Sequence, residues 1–69
     1  MKKTFYLSIS CDNAAFEGDE LYIETGRLVH YAAEQFSDGR TLGPLFDSNG
    51  NEVGHWGLRE VADEETNTQ

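Results

Sequence analysis

The sequence predicts an α+β fold: one helix packed on one face of a three-stranded antiparallel sheet, in the order β-α-β-β. Three observations lead there. A period-two apolar pattern runs through Lys3–Cys11, the one long helical pattern runs through Gly18–Phe36, and Asn-Gly sits between two further strand-like runs. If the last strand lies in the middle, all neighbours are antiparallel and the sheet order is 1-3-2. The chain has 69 residues, which makes one domain, placed at 1–61. A domain of that size hides only about 60% of the surface its unfolded chain exposes, so nearly every large apolar side chain is needed in one core.

In the first strand Phe5, Leu7, Ile9 and Cys11 alternate with Tyr6, Ser8 and Ser10, so the first set faces inward. Cys11 reads as a small buried residue, since no neighbouring base lowers its pKa. Asp12 and Asn13 bond their own backbone and favour a turn or cap before Phe16, which is expected to anchor the loop at the edge of the core.

The helix follows. At about 100° per residue, Leu21, Thr25, Leu28, Val29, Ala32 and Phe36 share one stripe. Glu20, Arg27, His30, Tyr31 and Glu34 lie on the far side. Glu17, Asp19 and Glu20 crowd the N-terminal end, where the helix dipole favours negative charge. Gly26 interrupts the pattern at a cost of about 1 kcal/mol relative to Ala. Gly39 suits the left-handed position after a helix.

Leu42, Leu45 and Phe46 flank Gly43-Pro44 in a second strand, and Pro44 fits an edge. Asp47–Asn51 is a dense turn cluster. Val53–Val61 returns as the third strand, with Trp56 and Leu58 inward and His55, Gly57 and Arg59 outward. The expected core is Phe5, Leu7 and Ile9 from the first strand, the apolar helix stripe, and Leu45, Trp56 and Leu58 from the hairpin. Residues 62–69 are polar and acidic and are expected to be disordered.

Charge bounds the function. Thirteen acidic residues face five basic ones, for a formal net charge of −8. Direct binding to nucleic acid or an anionic membrane is disfavoured, because phosphate recognition needs a basic footprint. Encounter with a basic partner is favoured. No run approaches the roughly 18 apolar residues of a membrane span. A lone cysteine and no signal peptide suggest a reducing, cytoplasmic setting.

Chemical motifs are sparse. Asp47–Glu52 opens like a calcium loop, but glycine falls fourth rather than sixth, and the twelfth position is Leu58 rather than a bidentate Glu. His30, His55 and Cys11 form no compact ligand spacing. No nucleophile elbow or phosphate-cradling loop occurs. The chain is therefore expected to be a binding protein without catalytic residues, metal or cofactor. A small enzyme using His30 or His55 is the competing class. The candidate contact residues are Asp12, Glu17, Asp19, Glu20, Glu24, Glu34, Asp47 and Glu52, with Tyr31 as an anchor amid the charges. Carboxylates spread over a compact surface can stand in for DNA phosphates in a basic groove.

The stretch Ser10–Phe16, with its DNAAF, and the stretch Leu45–Trp56, with DSNGNEVG, flank the amphipathic helix. Together they resemble small acidic proteins encoded by phages and prophages, among which anti-CRISPR inhibitors are the best-known group. The nearest likeness is to type I inhibitors, those of the type I-C system among them. The resemblance implies binding to a subunit of the CRISPR surveillance complex in the host bacterial cytoplasm, as a monomer, and exclusion of target DNA by charge mimicry. It carries no individual functional residues across. A phage adaptor or host-takeover protein binding another basic host protein is the alternative.

Overall fold

The computed structural model describes residues 1–61, so the tail expected to be disordered, 62–69, lies outside the described residues. Strand β1 covers Lys2–Ile9, a 3₁₀ turn Ala14–Phe16, helix α1 Glu20–Ser37, strand β2 Leu42–Phe46 and strand β3 Glu52–Val61. The sheet is antiparallel in the order β1-β3-β2, which is the predicted architecture. The helix starts two residues later than the sequence pattern begins. Gly18, at φ 62°, turns the chain into it, and Gly39, at φ 100°, turns the chain out.

Buried side chains gather where the helix meets the hairpin. Phe16, Leu28, Ala32, Leu45, Val53 and Trp56 form the core, with Leu7, Ile9, Cys11 and Ala15 packed against it. Phe16 takes the predicted anchoring place. Asn13 caps its 3₁₀ turn by accepting the Ala15 N–H at 3.1 Å. Phe5, Phe36 and Trp56 form an aromatic trio with ring centres 5.2–6.1 Å apart, Phe5 stacked on Trp56 and Phe36 meeting Trp56 edge-on. On the sheet's other face, Tyr6 meets the edge of His55 at 5.5 Å and the Arg59 guanidinium at 5.2 Å.

The helix is rolled away from the centre of its apolar stripe. Leu28 and Ala32 are buried as expected, but Leu21, Val29 and Phe36 keep 36%, 44% and 39% of their exposure and Phe5 keeps 44%. The cause is that α1 packs chiefly on the 3₁₀ turn and β2, not over the middle of the sheet. Leu58 is half-buried, not central. Val53 takes a core place that alternation from Trp56 denies it. The register slips between Leu45 and Phe46, where Leu45 faces Gly54 but Phe46 faces Glu52. That bulge hands one extra residue to β3 and turns Val53 inward.

Two glycines show opposite constraints. Gly26 lies inside α1, and a Cβ there meets nothing within 4 Å. Gly26→Ala should therefore stabilise the domain by about 1 kcal/mol, through helix propensity and a less flexible unfolded chain. The urea midpoint should rise with an unchanged slope, and a fall would mean that the helix is not regular at this point. Gly54 is the other case, taken up in the Discussion.

Candidate partner-binding face

The topology sorts charge by direction of travel. β1 runs towards the Asn13 turn, α1 runs back, β2 runs forward again to the hairpin turn, and β3 returns. One end of the molecule therefore collects the Asp12–Asn13 loop, the start of α1 and the Asp47–Asn51 turn. The other end collects Lys2 and Lys3, Arg40 after the helix, and Arg59 near the end of β3.

A buried polar network fastens the two loops and the helix together at the first end. Asp47, only 4% exposed, accepts the Asn49 and Asn51 N–H groups on Oδ1, each at 2.9 Å. Its Oδ2 accepts Asn13 Nδ2 at 2.8 Å and Asn51 Nδ2 at 3.4 Å. Burial raises the Asp47 carboxyl, but the Asn51 N–H, the side chains of Asn13 and Asn51, and the Asn49 N–H together hold it below its ordinary value. Glu24, also 4% exposed, accepts Arg27 in a forked pair at 2.7 and 3.2 Å and the Ser48 N–H at 2.7 Å. The Arg27 hydrogen bond lowers the Glu24 carboxyl most, burial opposes it, and the Ser48 N–H adds to the lowering. Arg27 also donates to the Phe46 carbonyl at 3.2 Å.

These contacts remove Glu24 and Asp47 from the exposed acidic set expected for a partner. Both are internal fasteners. The signal was present in the sequence for each. Glu24 lies about 40° beyond Leu28 on the helix wheel, at the margin of the apolar stripe and three residues from Arg27. Asp47 opens a run of turn residues, where an aspartate caps its own turn.

The remaining candidates are on the surface. Glu17, Asp19 and Glu20 are exposed at the start of α1, and no described basic side chain pairs with them. Asp19 occupies the N-cap position but makes no side-chain cap bond. The N–H groups of Glu20, Leu21 and Tyr22 bond instead to the carbonyls of Glu17, Gly18 and Asp19 at 3.1–3.2 Å. The carboxylates thus stay available while the helix dipole favours them. Asp12 is exposed and accepts Ser10 Oγ at 3.3 Å. Glu52 is exposed where β3 leaves the turn. Five acids, Asp12, Glu17, Asp19, Glu20 and Glu52, are therefore brought to one pole. Glu34 is not among them, since fourteen residues of helix set it about 21 Å from Glu20. Tyr31, 43% exposed, lies between Arg27 and Glu34. Tyr22 at 76% and Ile23 at 62% stand closer to the acidic pole.

His30 is exposed on the helix and His55 is engaged with Tyr6, so the two do not share a site. Among the described residues no group of three or more His, Cys, Asp or Glu side chains could hold a metal ion. No described helix is long and apolar enough to cross a membrane. Compared with protein-family models, curated proteins and solved structures, the chain matches none.

Proposed function

We propose that this protein is a phage anti-CRISPR inhibitor, which occupies a basic DNA-binding groove of a type I surveillance complex in the host cytoplasm and excludes target DNA by charge. The observation that carries the reading is the acidic pole. Five exposed carboxylates, without basic partners among the described residues, stand at one end, where a buried network fixes two loops and the helix relative to one another. Preorganised charge loses little entropy on binding. A low-dielectric groove lined with lysine and arginine attracts such a pole as it attracts a phosphate backbone. Tyr22 and Ile23 supply exposed apolar anchors beside it.

The test is target-DNA binding by a purified type I-C complex with and without this protein. Addition should abolish the DNA shift, and direct affinity should fall steeply with salt, because exposed charges are screened within about 8 Å at physiological ionic strength. A triple reversal, Glu17→Lys, Asp19→Lys and Glu20→Lys, should weaken binding by about 100-fold, while the lost helix-dipole interactions lower the melting temperature by several degrees without unfolding the domain. Affinity that is flat across salt, or full inhibition by the triple variant, would remove charge mimicry as the mechanism.

A further inference from the structure

Among the described residues, nothing pairs with one edge of the sheet, and an apolar strip beside it is only part covered. β1 and β2 are the two edge strands. β2 is short and interrupted by Pro44, which blunts pairing. β1 is eight residues long and contains no proline. Ser10 donates its N–H to the Val53 carbonyl at 2.7 Å. By the two-residue alternation of an antiparallel ladder, the N–H and C=O groups of Lys3, Phe5, Leu7 and Ile9 then point away from β3. Among the described residues they meet only a long contact from Cys11 Sγ to the Ile9 carbonyl, at 3.7 Å.

Three of these, Phe5, Leu7 and Ile9, carry inward-facing apolar side chains. The helix covers them incompletely. Cys11 touches Thr25 at 3.6 Å, and the Phe5 and Phe36 rings meet tilted at 5.2 Å between centroids, so the stripe Thr25–Val29–Phe36 runs alongside β1. Phe5, Val29 and Phe36 keep 39–44% of their exposure along it.

We propose that β1 is a homodimer interface, pairing antiparallel with β1 of a second copy about a two-fold axis at Leu7. Two-fold registers centred on any residue from Thr4 to Ser8 present these outward groups to each other. Centred on Thr4, Phe5 or Tyr6, an apolar residue of β1 faces Lys3, and centred on Ser8, Phe5 faces Cys11 beyond the end of the strand. Centred on Leu7, Phe5 faces Ile9 and Leu7 faces Leu7, so every inward apolar residue of β1 meets an apolar residue of β1. Continued past Ile9, where Ser10 still bonds to Val53, that register brings Lys2 towards Asp12 of the second copy, on both sides of the axis. Lys2, which otherwise helps protect this edge, thereby gains a carboxylate, while Lys3 already lies 3.9 Å from Glu60. β1 carries two lysines and no acidic residue, whereas β2 carries no charged residue at all, so β1 is the edge at which two copies of a chain of net charge −8 repel least. The pairing closes about six new backbone hydrogen bonds, joins the two sheets into one, and brings both helices to the same face. The inference is independent of the CRISPR reading.

Sedimentation equilibrium of the full chain at low salt tests it. The mass should rise with concentration from 7.7 kDa towards twice that value, with a dissociation constant on the order of tens of micromolar. Amide exchange should slow with concentration at Phe5, Leu7 and Ile9 but not along β2. Lys2→Glu, an exposed change that leaves the fold alone, should weaken association about tenfold, and Lys2→Glu with Asp12→Lys should restore it. A 7.7 kDa species persisting to about 1 mM overturns the proposal. So does a dimer whose Phe5, Leu7 and Ile9 amides exchange at the monomer's rate, or one indifferent to the charge swap.

Discussion

Replacing Gly54 with Ala should lower the melting temperature by about 15 °C or abolish folding at ambient temperature. Gly54 sits opposite Ile9 in the β1–β3 ladder. A Cβ added there overlaps the Ser8 carbonyl oxygen and comes within 3.0 Å of the Ile9 Cα. Both obstacles are backbone, so no side-chain rotation relieves them. Only separation of the two strands does, and β1–β3 is the longer pairing in the sheet. Overpacking usually costs about 1–3 kcal/mol, and a rigid obstacle belongs at the top of that range. A domain this small holds only about 3–10 kcal/mol in total. The same substitution at Gly26 should have the opposite sign, which makes the pair internally controlled. Circular-dichroism melts of the two variants decide it. A Gly54→Ala domain melting within about 3 °C of wild type would show that the strands do not approach this closely.

The second large effect lies in the polar network. Glu24→Ala should destabilise the domain by about 2 kcal/mol. Ser48 loses the acceptor of its N–H and Arg27 loses its forked partner. The cost is held at the low end because the Arg27 side chain is 49% exposed and can return to water. Arg27→Ala in the Glu24→Ala background should cost much less than in wild type, because the two share one interaction. Asp47→Asn should loosen the hairpin, since an amide nitrogen would confront donors that now converge on a carboxylate. Faster amide exchange at Asn49 and Asn51 is the readout, and unchanged exchange would refute the role given to Asp47.

The network also sets the acid limb of stability. Both carboxyls are held below their ordinary values in the folded state. A depressed folded pKa means that the unfolded chain binds the proton first as pH falls. The stabilisation is therefore complete above the unfolded values, from about pH 5 upward, and is lost as pH drops through the lower folded values. Urea midpoints should be flat from about pH 5 to 7 and fall steeply below about pH 4. Glu24→Gln should flatten that fall. An unaltered acid limb in this variant would assign the limb to other groups.

The acidic pole has a consequence for these experiments. Charge reversal at Glu17, Asp19 and Glu20 can be read as a binding effect, because none of the three supports the fold through a described side-chain bond or salt bridge. Reversal at Glu24 cannot, because its loss unfastens the helix from the hairpin.

The strands, the single helix and the turn chemistry were legible in the residues themselves. Alternation in Phe5–Cys11 defines a strand whichever neighbour it finds, Asn49-Gly50 closes a hairpin through local backbone preference, and a helical stripe needs no partner to be recognised. These properties depend on residues a few positions apart. The roll of the helix does not. Glu24 could have faced water with the other acids. Its burial follows from the position of the Ser48 N–H and the Phe46 carbonyl, which only the folded hairpin brings to it. That contact draws α1 towards β2, leaves Val29 and Phe36 partly open beside β1, and divides the carboxylates of that end into two that fasten and five that face outward. The sequence by itself determined that this is a small acidic helix-on-sheet domain. The tertiary structure alone decided which acids remain on its surface, because a carboxylate goes inside only where donors from distant segments converge to replace its water.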